Sequence, residues 1–190
     1  MQTNLLWAGR EYHSLENCLV NISGAGAEIS STIIGSYDNK IFKIEYCIKS
    51  NHKWETVLLE LSSRHSNKLE VVRLEGDGKG NWLSSGKRVE QFEGCIDIDI
   101  SLTPLTNTLP INRLNLIKNQ SQEIKVIYLD VLGQQMSSVR QRYIRLSDTL
   151  YNYQNIPNDF EANIQVDEFG LVIDYSSLFV RTSALKTNYP

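Results

Sequence analysis

Apolar and polar residues alternate with a period of two along most of the chain. In residues 41–49, Phe42, Ile44, Tyr46 and Ile48 share one face, and the side chains between them are mostly charged. This alternation is typical of a β-strand with one buried and one wet face. The pattern predicts strands at 18–23, 28–37, 41–49, 54–62, 69–75, 81–84, 95–101, 123–132, 139–146, 149–154, 160–167 and 171–175.

Short runs of turn-forming residues separate these strands. Residues 76–81, GDGKGN, have the glycines and the aspartate of a hairpin turn, and residues 38–39 and 157–159 carry similar signals. No window has the apolar spacing of an amphipathic helix of three turns. One short helix is expected at 109–117, where Pro110 suits the first turn.

The predicted strand at 123–132 is apolar on both faces, so both faces must be covered. Because few helices are available, we expect the sheet to curl and cover itself. The predicted fold is therefore mainly β: one domain over residues 1–190, built as a single curved antiparallel sheet or incomplete barrel (a β-roll) with at most short helices. Residues 184–190 are expected to form a loose tail.

Composition and charge exclude several classes of function. The net charge is −3 and the basic residues are scattered, which argues against a nucleic-acid partner. Cys18, Cys47 and Cys95 have no CxxC spacing, so we expect reduced thiols, no metal site and a cytoplasmic location. No apolar run approaches the ~20 residues that span a bilayer, so no integral membrane association is expected. No motif calls for a cofactor, and the oligomeric state is left open.

Residues 94–114, GCIDIDISLTPLTNTLPINRL, resemble the signature of a bacterial family described as glycolipid-binding, formerly a domain of unknown function. The resemblance continues in WAGREYHSLENC, GDGKGNW, QRYIR and VDEFGLVIDYSSLFVR. It implies a curved antiparallel sheet similar to the half-barrels of lipoprotein carriers, and binding of a glycolipid. The chain departs from the family pattern at Leu105, where an aromatic residue is expected, and at Asn112, where a basic residue is expected.

Two carboxylates, Asp97 and Asp99, lie on the face of the 95–101 strand opposite its isoleucines. In one interpretation both face solvent or bond to a neighbouring turn. In a second, they point into the concave side, where they accept hydrogen bonds from sugar hydroxyls or hold Arg113. In a third, they form the acid and base of a glycosidase, because their separation along the strand is roughly 6.5–7 Å.

The segment TPLTNTLP, residues 103–110, allows two interpretations. Its prolines and its polar threonine and asparagine side chains are typical of a rigid crossover between two parts of a sheet. Alternatively, it forms a preorganised polar lip at a cavity mouth, with Asn107 and Arg113 as ligand contacts. A guanidinium at that position could grip a phosphate or carboxylate head group.

Aromatic residues could contact a sugar ring or simply fill the core. This holds for Trp7, Trp54 and Trp82. The same choice applies to four tyrosines, Tyr143, Tyr151, Tyr153 and Tyr175. The predicted ligand contacts are Asp99, Thr106, Asn107, Arg113, Trp82 and Tyr143.

Three functions follow from these observations. The first is binding or carriage of an amphipathic ligand such as a glycolipid, with acyl chains in the concave interior and the polar head at the rim. The second is a carbohydrate-active hydrolase or isomerase that uses Asp97 and Asp99. The third is a structural or interaction module without a small ligand. Binding is favoured over catalysis, because nothing in the sequence separates the environments of the two carboxylates.

Overall fold

The computed structural model describes residues 1–65, 68–157 and 159–187, and the strands in these residues form one sheet. The strands are β1 (Gln2–Gly9), β2 (Ser14–Ser23), β3 (Gly26–Tyr37), β4 (Lys40–Ser50), β5 (Thr56–His65), β6 (Lys68–Gly76), β7 (Trp82–Ser84), β8 (Lys87–Arg88), β9 (Asp97–Ile100), β10 (Ser121–Asp130), β11 (Gln135–Arg145), β12 (Leu150–Ile156), β13 (Glu161–Val166), β14 (Val172–Tyr175) and β15 (Phe179–Thr187). The helical elements in the same residues are α1 (Thr108–Leu114) and two 3₁₀ turns, Glu90–Phe92 and Leu105–Asn107. This open, curved, mainly β architecture with one short helix confirms the predicted fold class.

The sheet has two halves, β1–β8 and β9–β15, which are joined where β1 pairs with β15. Its order is β8-β7-β6-β5-β4-β3-β2-β1-β15-β14-β13-β12-β11-β10-β9, so β1 and β15 join the two halves. Neighbouring strands are antiparallel, as predicted, except for β9 and β10, which are parallel. A parallel pair needs a long crossover connection. Residues 101–120, which contain α1, supply it.

The sheet rolls up so that its first half covers one face of β9 and β10. Ile98 and Ile100 of β9, and Ile127 and Leu129 of β10, belong to the same buried cluster as Ile44 of β4. On the opposite face of β10, Ile124 packs against a second buried cluster and Tyr128 lies beside Tyr153 and Tyr175. The strand that is apolar on both faces is therefore covered by the sheet itself, as predicted.

A second buried cluster fills the inner face of β11–β15. Its members are Ile111, Leu116, Tyr143, Tyr151, Tyr153, Ile164, Val166, Val172, Tyr175 and Phe179. Ile111 lies on α1, so the crossover segment packs into this half of the roll. Much of the predicted hollow is thus occupied by the protein's own residues.

The ends of the chain differ from their prediction. The sequence pattern predicts neither β1 nor β15, yet the two strands pair over their full length, with Gln2 opposite Thr187 and Leu5 opposite Ala184. Residues 184–187 therefore belong to a strand rather than to a loose tail, and residues 188–190 lie outside the described residues. Each strand also pairs with its neighbour in sequence, β1 with β2 and β15 with β14. Most residues of β15 are exposed, so its sequence lacks the alternation of a half-buried strand.

The predicted helix also ends earlier than expected. It begins at Thr108 and ends at Leu114, whereas the sequence predicts 109–117. Asn115 adopts the left-handed conformation, with φ 42° and ψ 47°. Asparagine is one of the few residues that occupy this region readily, and a left-handed residue stops a helix.

Glu16 of β2 is a buried carboxyl group in the first half of the roll. Its Oε1 accepts hydrogen bonds from Ser31 Oγ at 2.7 Å and from Tyr46 Oη at 2.6 Å. Its Oε2 is buried without a hydrogen-bond partner among the described residues. Burial raises the pKa of Glu16 to about 7, although the hydrogen bonds from Tyr46, Thr103 and Ser31 oppose the shift.

We expect the stability of the fold to fall as Glu16 ionises. The folded state holds this proton more tightly than the unfolded chain, so the stabilisation is fully present below the unfolded pKa. It is lost as the pH rises through about 7. Relative to Glu16→Gln, the free energy of unfolding should drop by roughly 2–3 kcal/mol between pH 5 and pH 8, measured by urea titration. Parallel pH curves for the two proteins would contradict this assignment.

Candidate functional site

A cavity of about 430 Å³ opens on the inner face of the second half of the roll. Its wall, among the described residues, carries the aromatic side chains of Tyr12, Tyr128, Tyr153, Phe160, Tyr175 and Phe179. Its polar lining includes Glu11, Asp99, Ser101, Thr103, Arg140, Gln141, Asn155 and Asp159. This volume lies in the range of about 300–1,000 Å³ that is typical of small-molecule sites.

The aromatic side chains form a connected wall. Tyr12 stacks on Phe179 with ring centroids 5.9 Å apart and an angle of 24° between the planes. Tyr175 lies 6.4 Å from Phe179 and 6.0 Å from Tyr153. Phe160 lies 6.1 Å from Tyr153 and 6.5 Å from Tyr175. Rings that hold each other in place present a rigid apolar surface to a ligand.

Asp99 provides a fixed hydrogen-bond acceptor in the lining. Its Oδ1 accepts from Thr106 Oγ1 at 3.1 Å, and its Oδ2 accepts from Gln141 Nε2 at 2.6 Å. Burial raises the pKa of Asp99 above its usual value, and the hydrogen bonds from Gln141 and Thr106 partly offset this shift. Because a carboxylate oxygen accepts more than one hydrogen bond, Asp99 retains capacity toward the cavity.

The tyrosines around Asp99 are held in the neutral form. Burial raises the pKa of Tyr128 to about 12, and the charges of Asp99 and Asp130 add to the shift. The pKa of Tyr12 is also raised to about 12, first by burial and then by Glu11. Neutral phenols can donate and accept hydrogen bonds.

Asp97 is on the same face of β9 as Asp99 but has a different environment. It is fully buried, and Arg113 of α1 donates to it from Nε at 3.0 Å and from Nη2 at 2.5 Å. Burial raises the pKa of Asp97, while the Arg113 guanidinium opposes the shift. The interpretation in which both carboxylates face solvent is therefore wrong for Asp97. Its contact with Arg113 is the one that the second interpretation offered as an alternative to sugar hydroxyls.

The remaining predicted ligand residues are outside the cavity lining: Thr106, Asn107, Arg113, Trp82 and Tyr143. Asn107 is 4% exposed, and its Oδ1 accepts a hydrogen bond from Tyr143 Oη at 2.8 Å. Tyr143 also supports the aromatic wall, because its ring lies 5.5 Å from that of Tyr153. Trp82 is 1% exposed and its Nε1 donates to Cys95 O at 2.6 Å. Of the two interpretations of residues 103–110, the structure has the crossover: Asn107 and Arg113 lie in the packed segment that connects β9 to β10.

Asp99 is thus the predicted ligand contact that lines the cavity. Tyr153 and Tyr175, which the sequence offered as hydroxyl donors or core residues, line it as well. The sequence did not indicate Gln141 or Phe179. The alternation of β11 and β15 could show which face each side chain takes, but not that these two faces meet.

A second concavity lies on the outer face of the first half. It has a volume of about 640 Å³ and is more open to solvent. Its lining includes the outward-facing Glu45, Cys47, Glu60 and Arg73. It lacks the enclosing aromatic wall of the first cavity, so we treat the inner cavity as the candidate site.

Two structural features bear on the class of protein. Within residues 1–65, 68–157 and 159–187, no helix has the length and apolar character to cross a bilayer. In the same residues, no three histidine, cysteine, aspartate or glutamate side chains come together as a metal site would require.

Comparisons with known proteins agree with this fold. A family model described as "Putative glycolipid-binding" matches residues 4–181. A crystal structure at 1.80 Å resolution of a DUF1089 family protein from Pseudomonas aeruginosa superposes with a TM-score of 0.78. The two chains are 32% identical over 87% of this chain and 91% of that chain. No curated protein matches. The chain therefore belongs to the family described as "Putative glycolipid-binding".

Proposed function

We propose that the protein binds an amphipathic ligand such as a glycolipid, with the saccharide part in the inner cavity. The observation that carries the proposal is the pairing of a rigid aromatic wall with the fixed acceptor Asp99 in one enclosed space. Aromatic faces pack against the apolar face of a sugar ring, while a carboxylate accepts hydrogen bonds from its hydroxyls. The family description supports the same class of ligand.

The division of the ligand between polar and apolar parts follows from the packing. The sequence led us to expect acyl chains in the concave interior. Residues such as Leu105 and Leu109 fill that space in the first cluster, and Ile111 fills part of the second. The remaining cavity of about 430 Å³ has the volume of a small-molecule site, so we assign it to the head group.

A carbohydrate-active hydrolase is the weaker alternative. A glycosidase needs two carboxyl groups on either side of the scissile bond. Both oxygens of Asp97 are engaged by Arg113, and Asp97 does not belong to the cavity lining. Activity on a panel of aryl glycosides that is lost in Asp99→Asn would favour this alternative.

Native mass spectrometry of the purified protein is the direct test of binding. A co-purified lipid, or a complex formed with an alkyl glycoside, would support the proposal. A clean apo mass together with no binding to any member of a lipid panel would favour a structural module without a small ligand.

Phe160→Ala should weaken binding of an alkyl glycoside about two- to twelvefold, because an aromatic contact contributes about 0.5–1.5 kcal/mol. Phe160 lines the cavity and is 37% exposed, so the fold should tolerate the change. Phe169→Ala is the matched control, because Phe169 is 36% exposed and lies outside the cavity lining. Isothermal titration calorimetry compares the two variants; equal affinities would contradict the proposed site.

The cysteines support a cytoplasmic location as part of this proposal. Cys18, Cys47 and Cys95 are all free thiols in the structure. Free cysteines are usual in reducing compartments, whereas disulfides form and persist in secreted proteins.

A further inference from the structure

The inner cavity is acidic as well as aromatic. Its lining includes the carboxylates of Asp99, Glu11 and Asp159 and the guanidinium of Arg140. Arg140 shares the Glu123 carboxylate with Arg142, at 2.9 and 3.4 Å, and its single guanidinium faces three carboxylates in the lining. The described lining therefore presents negative charge that its own cation does not neutralise.

The positions of the carboxylates divide the cavity into a floor and a rim. Asp99 is half-buried and held by Thr106 and Gln141, so it forms a fixed acceptor at the floor. Glu11 and Asp159 are exposed residues at the opening. Both donors that approach Asp99 from the protein are neutral, so neither cancels its charge.

The aromatic wall adds to the same preference. The face of a phenyl or phenol ring carries negative electrostatic potential and attracts cations within about 6 Å of the ring centre. Tyr153, Tyr175 and Phe179 pack against one another, so the rings with the most accessible surface in the lining are Phe160, Tyr12 and Tyr128. Aromatic faces of this kind bind quaternary ammonium groups in other proteins.

We propose that the ligand of this cavity carries a protonated amine in its head group, as an amino sugar does. This inference rests on the proposed function and makes it more specific. An ammonium group would lie between the aromatic wall and Asp99, with its N–H groups donating to the carboxylate. Anionic head groups such as phosphate would be repelled by the three carboxylates at floor and rim.

The test compares three octyl glycosides that differ at one position of the sugar with one cationic amphiphile that has no sugar. Octyl glucosaminide has a protonated amine, octyl N-acetylglucosaminide has the same nitrogen without its charge, and octyl glucoside has a hydroxyl group. Octyltrimethylammonium presents a cation without a sugar. Affinities of the full chain are measured by isothermal titration calorimetry near neutral pH.

The amine is expected to bind about tenfold more tightly than either neutral sugar, which corresponds to about 1.4 kcal/mol. The preference should shrink at about 1 M salt, where the Debye length is about 3 Å. It should also fall to about threefold or less in the double variant Glu11→Gln, Asp159→Asn, whose altered residues are exposed. Glu90→Gln, at an exposed carboxylate outside the cavity, should leave it unchanged.

The outcomes separate this inference from the function on which it rests. If octyl glucoside binds as tightly as octyl glucosaminide, the glycolipid proposal stands and the amine inference is overturned. If none of the four amphiphiles binds, both are overturned. Binding of octyltrimethylammonium as tight as that of the amino sugar supports the cation and assigns it to an ammonium lipid, whereas preference for the amino sugar assigns it to the saccharide.

Discussion

Arg113→Ala is expected to destabilise the protein by about 3–5 kcal/mol, because it leaves the buried Asp97 carboxylate without its counter-charge. Asp97 is 0% exposed, and Arg113 is the cation that donates to both of its oxygens. The free energy needed to bury an unpaired carboxylate is far larger than the free energy that a surface contact contributes. Urea denaturation followed by fluorescence measures the loss.

Two further variants serve as controls for the ion pair between Asp97 and Arg113. Arg88→Ala removes an exposed ion pair with Glu93 and should change stability by less than about 1 kcal/mol. The double variant Asp97→Leu, Arg113→Met replaces both charges with apolar groups and should recover much of the loss. If Arg113→Ala costs no more than Arg88→Ala, the ion pair does not hold α1 against β9.

Trp82→Ala should cost about 3–5 kcal/mol, since it empties a large buried volume. The indole is 1% exposed and lies in the first core cluster. Its Nε1 donates to Cys95 O at 2.6 Å, which ties the hairpin before β7 to the segment that leads into β9. Thermal or urea unfolding should therefore show one of the largest single-residue losses in the chain.

Trp82→Phe separates the two contributions. It keeps most of the ring volume and removes the hydrogen bond to Cys95 O. We expect an intermediate loss of about 1–3 kcal/mol, because the carbonyl would then be buried without its donor. A full loss in Trp82→Phe would mean that the hydrogen bond, rather than the packing of the ring, dominates.

The alternation of side chains predicted much of the local structure correctly. It placed Asp97 and Asp99 on the face of β9 opposite its isoleucines, and the structure confirms that arrangement. It also required cover for both faces of β10, which the roll provides. The two-residue alternation of side chains could not reveal that β9 runs parallel to β10, because it is the same in parallel and antiparallel strands.

The candidate site was less predictable than the sheet. Asp99 was predicted as a ligand contact because it breaks an apolar run, and it lines the cavity. Asn107 and Arg113 have the same polar character in sequence, but they bond to Tyr143 and Asp97 inside the protein. Residue type alone does not distinguish a polar group that serves a ligand from one that satisfies a buried partner.

The sequence by itself determined most of the strands other than β1 and β15, their buried faces and the two carboxylates on one face of β9, since these depend on neighbours one or two residues away. Only the tertiary structure decided that Tyr12, Asp99 and Phe179 share one cavity while Asp97 closes against Arg113. Those contacts depend on how far the sheet curls, and the curl results from packing between elements as distant as β1 and β15. Short-range periodicity contains no information about such long-range packing.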